Sequence, residues 1–212
     1  YLPSEITPTA MPGLITKIYL NTAGGGATSF TNLTVKMGTT TQAASTTTFV
    51  GGMQTCYFAP TTTFPAHVSG DWVEINLQTP FFWNATENLV LEVSQEGYTV
   101  GRNMLQYTNN GNRRTYGTSV PLSTTGSAAT GLVYLGFDMM PAAACSGPVS
   151  AGVASATVTD ACAAVPFNLL LTNPTYALGV TYQWQSSPAG ANIWTNIPSG
   201  NTAYYTIANQ TV

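Results

Sequence analysis

The chain has 212 residues, of which five are basic and eight acidic, for a formal net charge of −3, and 35 are threonine. Globular domains usually carry about a quarter charged residues, so this surface is kept wet by neutral hydroxyls and amides and should respond little to salt. Five cations are too few to hold nucleic acid or an anionic membrane surface, and a hydrophobic content of 44% excludes disorder.

Threonine is β-branched and suits strands. Residues 1–141 read as short strands between Gly, Pro, Thr and Asn. Leu14, Thr16, Ile18 and Leu20 alternate with Ile15, Lys17 and Tyr19, and Leu33, Val35 and Met37 alternate with Thr34 and Lys36. The same period of two runs through Val73, Ile75 and Leu77 and through Leu89, Leu91 and Val93, the pattern of half-buried strands. Further strands are expected at 54–58, 103–107 and 132–139. The phase predicts a core of Ile18, Leu33, Val35, Ile75, Leu77, Leu89, Leu91 and Phe137, with Lys17, Lys36, Glu74 and Glu92 outside. No window has a convincing helical period, and the longest apolar runs, such as 167–171, fall far short of the roughly 20 residues that cross a bilayer. Membrane insertion is therefore not expected.

Small residues and prolines over 141–148 mark a boundary. Beyond it, 151–158, 167–171, 180–185, 192–197 and 203–207 read as five strands of a smaller sandwich, in which Trp184 of Tyr182-Gln-Trp-Gln185 is expected as the core tryptophan, near Phe167 or Leu169. The predicted fold class is all-β: a jelly-roll-like sandwich over 1–141, then an incomplete immunoglobulin-like sandwich over 142–212. An immunoglobulin-like sandwich needs about seven strands, so the second unit is expected to be truncated at its C-terminal end. The chain opens on Tyr1 without a signal-peptide pattern, as expected of a processed or partial chain.

Candidate chemistry is sparse. The sole histidine, His67, precedes a strand in a loop and is expected to be structural. Glu74 and Glu92 could share an exposed face as a glycosidase pair does, but Lys17 and Lys36 fall in the outward phase, so cross-strand ion pairs are the simpler reading. No cluster has zinc spacing and no Asp-rich calcium loop occurs, so no cofactor is expected; one structural calcium on carbonyls and a single carboxylate would leave no sequence trace. Cys56 reads as a buried thiol. Cys145 and Cys162 would stand at opposite ends of a hairpin made by 151–158 and 167–171, beyond the roughly 7 Å Cα limit of a disulfide, so their partners are expected from outside the sequence. A strand from downstream or from a neighbouring subunit would then close the second sandwich. The stretch 97–119 is unusual: Tyr98, Tyr107 and Tyr116 lie among Arg102, Arg113 and Arg114, three of the five basic residues. Asn109-Asn-Gly-Asn112 reads as the turn of a hairpin, and Tyr and Arg are favoured contact residues. These six are the candidate binding residues.

Tyr182-Gln-Trp-Gln-Ser-Ser-Pro-Ala-Gly190, Trp194-Thr-Asn-Ile197 and Ala203-Tyr-Tyr-Thr206, after Cys145-Ser-Gly-Pro-Val-Ser-Ala-Gly152 and Cys162, are similar to immunoglobulin-like repeats of large secreted proteins of Bacteroidota. Ser4-Glu-Ile6, Gly13-Leu-Ile-Thr-Lys-Ile18, Asn32-Leu-Thr-Val-Lys-Met-Gly38, Phe49-Val-Gly-Gly-Met53, Thr79-Pro-Phe-Phe-Trp-Asn84 and Asn88-Leu-Val-Leu-Glu92 resemble a β-sandwich module of the same proteins. The resemblance implies type IX secretion through a sorting domain absent here, cell-surface display, and adhesion or gliding-related roles. No catalytic motif transfers with it. The expected function is thus a non-enzymatic extracellular adhesin or filament subunit, with a glycan, a protein surface or neighbouring copies as partner. The competing expectation is a carbohydrate-binding or spacer region of a secreted hydrolase whose catalytic domain lies outside this sequence.

Overall fold

The computed structural model describes residues 1–6, 10–118, 123–160, 167–198 and 200–207. The chain divides into two compact units, Tyr1–Pro141 and Ala142–Val212. Both are all-β; among the described residues the one helical element is the 3-10 turn Pro3–Glu5.

The first unit contains β1 (Gly13–Asn21), β2 (Thr28–Thr40), β3 (Gln54–Phe64), β4 (Trp72–Trp83), β5 (Asn88–Ser94), β6 (Gly97–Tyr98), β7 (Gln106–Thr108), β8 (Arg114–Tyr116), β9 (Ser127–Ala129), β10 (Gly131–Val133) and β11 (Leu135–Pro141). Two antiparallel sheets, β11-β1-β4 and β3-β2-β5, form a sandwich, with β6 on the first part of β2. The chain changes sheet between β1 and β2, between β3 and β4, and again between β4 and β5. Ile15, Ile18, Ile75 and Trp83 of one sheet and Val35, Met37, Cys56 and Leu89 of the other fill one core.

Of the expected core, Ile18, Leu33, Val35, Ile75, Leu77 and Leu89 are buried, while Leu91 and Phe137 are partly buried against the cluster. The strict alternation predicted for the first strand fails at one point. Thr16 bulges against β11, where Ile15 and Lys17 oppose the consecutive residues Met139 and Asp138, and this extra residue reverses the phase. Against β4 the irregularity lies on the partner, whose residues 77–80 stand opposite Thr16. Ile15 rather than Leu14 therefore enters the core. A second register shift, opposite Val35 and Lys36, accompanies burial of Cys56, whose thiol is pushed up to about 12 by desolvation and so stays protonated.

Lys17 pairs with Glu74 at 2.9 Å and Lys36 with Glu92 at 3.1 Å, as cross-strand pairing predicts. The shared face considered for the two glutamates does not exist, because Glu74 lies on β4 and Glu92 on β5, in different sheets.

Strand β3 is a sheet edge, and its exposed backbone is covered by a side chain. Phe58 N–H donates to Gln78 Oε1 at 3.0 Å, and Gln78 Nε2 donates to the Phe58 carbonyl at 2.9 Å, so the amide takes the place of a neighbouring strand. Water competes at this exposed site. Gln78→Ala is accordingly expected to cost about 0.5–1 kcal/mol, read as a lower urea midpoint at constant slope. An unmoved midpoint would show that water covers the edge equally well.

The second unit contains β12 (Val153–Ala156), β13 (Phe167–Thr172), β14 (Gln185–Ser186), β15 (Thr195–Asn196) and β16 (Tyr204–Ile207). They form the sheet β12-β13-β16 and the two-stranded β14-β15, all antiparallel. Four of the five expected segments hold a strand; of 180–185 only Gln185, the first residue of β14, belongs to one. Trp184 is only half-buried, its Nε1 donating to the Thr202 carbonyl at 2.9 Å, instead of being enclosed between sheets. Its backbone explains the difference: Trp184 N–H donates to the Gly200 carbonyl and its carbonyl accepts from Ile197, which fixes it at the mouth of a short hairpin. Tyr204 is the buried large apolar residue among those described in this unit. Cys145 is an exposed free cysteine whose thiol donates to the Gly147 carbonyl at 3.6 Å, and Cys162 lies outside the described residues.

Candidate functional site

The Tyr/Arg stretch does not close on itself as a hairpin. Strand β7 pairs with β10, and β8 pairs with β9, so 106–116 runs antiparallel to 127–133 as one interrupted ladder. Asn109 N–H still bonds to the Thr130 carbonyl and Arg113 N–H to the Ala129 carbonyl, so residues 110–112 are an excursion within the ladder. Gly111, at φ +95°, supplies the left-handed residue that the excursion requires. The Asn-Gly signal thus marked a local excursion and not the hairpin turn expected of it, since 106–108 and 114–116 run in one direction against 127–133.

A second loop is zipped to this ladder. Ser45 N–H donates to the Asn112 carbonyl, Thr115 Oγ1 to the Thr46 carbonyl, Phe49 N–H to the Thr124 carbonyl and Gly126 N–H to the Thr47 carbonyl. At Gly126 an added Cβ would lie 2.4 Å from the Tyr116 carbonyl oxygen, so only glycine permits this approach. Nothing in the sequence of 42–49 announces the partnership, because it is made across about 70 residues of chain, as in Thr115 with Thr46.

Between these loops and the sandwich lies a hollow of about 780 Å³, floored by apolar residues such as Leu33, Phe64 and Leu91. Volumes of roughly 300–1,000 Å³ are typical of small-molecule sites. Five of the six candidate residues line it: Tyr98, Arg102, Arg113, Arg114 and Tyr116. Tyr107 does not, and stacks on Tyr134 with ring centres 5.1 Å apart.

The three arginines have different roles. Arg113 is committed internally: Nη1 and Nη2 donate to Glu5 Oε1 and Oε2 at 2.7 and 2.6 Å, a forked ion pair with both side chains largely enclosed. Burial alone would raise the Glu5 carboxyl, but hydrogen bonds from Leu2 N–H and from Arg113, with the guanidinium charge, outweigh it and hold Glu5 below its ordinary value. Arg102 is anchored by Nη2, which donates to the carbonyls of Gly26 at 2.7 Å and Pro65 at 2.9 Å, while its Nε and Nη1 are enclosed without an acceptor. Arg114 donates Nη1 to Gln106 Oε1 at 2.7 Å, lies 5.2 Å from the Tyr116 ring centre, and has an enclosed Nε without an acceptor. Tyr98 packs against Phe30, yet both Tyr98 and Tyr116 keep more than half of their surface exposed.

Glu5 and the 42–49 loop are the parts of this site that sequence reasoning missed. His67 is held in the backbone bridge to Gly25, with Nδ1 2.8 Å from the Pro65 carbonyl. Among the described residues no three His, Cys, Asp or Glu side chains are grouped as metal ligands, and no helix is long and apolar enough to cross a membrane. Comparison with protein-family models, with curated proteins and with solved structures finds no match to this chain.

Proposed function

We propose that this chain is a non-enzymatic, extracellular, surface-displayed binding protein of the adhesin or filament-subunit type, and that the hollow beneath the Tyr/Arg ladder is its ligand site. The observation that carries the reading is the convergence of five contact-type side chains, from 98 to 116, on one cavity built on a rigid sandwich. Loops held on a scaffold in this way are where binding residues concentrate. A threonine-rich surface with few charges favours an environment of changing ionic strength, and the resemblance to Bacteroidota surface modules supports display and type IX export. The carbohydrate-binding region of a secreted hydrolase would use the same hollow; the aromatic rim and hydroxyl-rich walls, with Thr46, Thr48 and Thr115, favour this as the second reading. In both, Glu74 and Glu92 are each paired with a lysine and lie in different sheets, so these two do not form a glycosidase pair.

The test is to screen the 212-residue chain on immobilised glycans and cell-surface proteins alongside a panel of hydrolase substrates. Binding without turnover is expected, weakened by Tyr98→Ala with Tyr116→Ala at unchanged folding. Turnover of any bound substrate would overturn the non-enzymatic reading, and undiminished binding by the double variant would move the site elsewhere.

A further inference from the structure

We infer that the hollow recognises an acidic saccharide, one whose sugar ring carries a carboxylate such as a uronic acid. The inference rests on the reading of the hollow as the ligand site and adds the chemical class of what enters it.

The first observation is where the positive charge goes. The chain has five basic residues, all of them described. Lys17 is neutralised by Glu74, Lys36 by Glu92, and Arg113 by Glu5. Arg102 and Arg114 have no carboxylate partner among the described residues, and both line the same hollow. Glu92 also borders it; Lys36 Nζ lies 3.1 Å from its Oε1 and meets its charge, although that enclosed oxygen receives no well-aligned hydrogen bond. The wall therefore carries two uncompensated guanidinium charges in a chain that is acidic overall.

The second observation is how those guanidinium groups are held. An arginine cannot shed its proton. Enclosed donors without acceptors are costly, and a cation left without a counter-charge in a partly dry setting costs more. Arg102 Nε and Nη1 and Arg114 Nε are in that condition, while Arg102 Nη2 is fixed by two carbonyls and Arg114 Nη1 by Gln106. The groups are positioned beforehand and incompletely satisfied. Water can fill a hydrogen bond; only an anion also supplies the charge.

The third observation selects among anions. Guanidinium groups match carboxylates and phosphates alike, so the choice of a carboxylate-bearing sugar rests on the rest of the lining. The exposed faces of Tyr98 and Tyr116 suit the C–H face of a sugar ring. Gln42, Thr46, Thr48, Asn88 and Thr115 add neutral polar groups to a mainly apolar lining, with Thr115 Oγ1 and Asn88 Nδ2 already donating to the carbonyls of Thr46 and Gln42. The volume of about 780 Å³ fits one or two such rings.

Titration calorimetry on the 212-residue chain tests this with trigalacturonic acid, with galactotriose as the neutral probe of equal length, with a peptide ending in a free carboxylate, and with sulfate. The acidic trisaccharide is expected to bind at least tenfold more tightly than the neutral one, with affinity falling as salt rises. Arg102→Gln and Arg114→Gln should each remove most of that preference, whereas Lys17→Gln, on the outer face of β1, should keep it. The melting midpoint of each variant establishes that it folds. Equal affinity for acidic and neutral sugars would overturn the carboxylate inference while leaving a glycan site in the hollow. A preference that survives both arginine variants would place acid recognition elsewhere, and binding of the peptide or sulfate alone would overturn the saccharide. If no probe binds but the wider screen yields a ligand that the tyrosine variants lose, the acidic-sugar inference fails and the function stands.

Discussion

Trp83→Ala is expected to destabilise the first unit by about 3–5 kcal/mol and to lower its melting midpoint by about 10–15 °C. The indole is fully enclosed, meets the Phe137 ring edge-on at 6.4 Å, and donates Nε1 to the Glu87 carbonyl at 2.9 Å. That bond also fastens the 84–87 turn, where Asn84 Oδ1 accepts from the backbone N–H groups of Thr86 and Glu87 and Ala85 sits at φ 59°. The substitution thus opens a large cavity and leaves a carbonyl without its donor at the connection between β4 and β5. Calorimetry should report a smaller loss for Trp184→Ala, since Trp184 is half-buried. A Trp83→Ala loss below about 1 kcal/mol would contradict the placement of this residue at the centre of the core.

The second large effect is expected at the Glu5–Arg113 pair. Glu5→Gln leaves a largely enclosed guanidinium without its counter-charge and is expected to cost about 2–3 kcal/mol at pH 7, discounted from a fully buried pair for its partial exposure. The pair joins the 3-10 turn to the ladder across 108 residues, so the damage should reach the walls of the hollow. Its pH dependence has a definite sign. The folded-state pKa of Glu5 lies below the ordinary 4.5, so the carboxylate's contribution is fully present above about pH 4.5 and is lost as the pH falls through the folded value. Urea midpoints of the parent chain should therefore drop on acidification below pH 4.5, and the gap between parent and Glu5→Gln should narrow there. A gap that stays constant from pH 7 to pH 3 would mean that the carboxylate charge adds nothing.

The strands of the sandwich were legible because one face of each is buried, which imposes a period of two on Leu33, Val35, Ile75, Leu77 and Leu89. The bulge at Thr16 was not, since one inserted residue changes the phase without changing the composition. Tryptophan misled in the second unit and carried no expectation in the first. Trp83, at the end of β4, is a core anchor, whereas Trp184, in a motif resembling a core strand, is held at a hairpin mouth by its backbone bonds. The Tyr/Arg stretch stood out by composition, and Tyr98, Arg102, Arg113, Arg114 and Tyr116 do converge. What composition could not separate was an arginine already paired from two that are not. That distinction depends on Glu5, Gln106 and the carbonyls of Gly26 and Pro65, which only the fold brings near.

The most direct test of the ligand site is a nitrogen-proton correlation spectrum of the labelled 212-residue chain, recorded while trigalacturonic acid is added. The side-chain Nε–H signals of Arg102 and Arg114 are predicted to shift first and furthest, together with backbone signals of 42–49 and of Tyr98 and Tyr116, while Lys17 and its neighbours on the outer face of β1 stay in place. Shifts centred on that outer face, or a spectrum unchanged at millimolar sugar, would contradict the assignment of the hollow as an acidic-saccharide site.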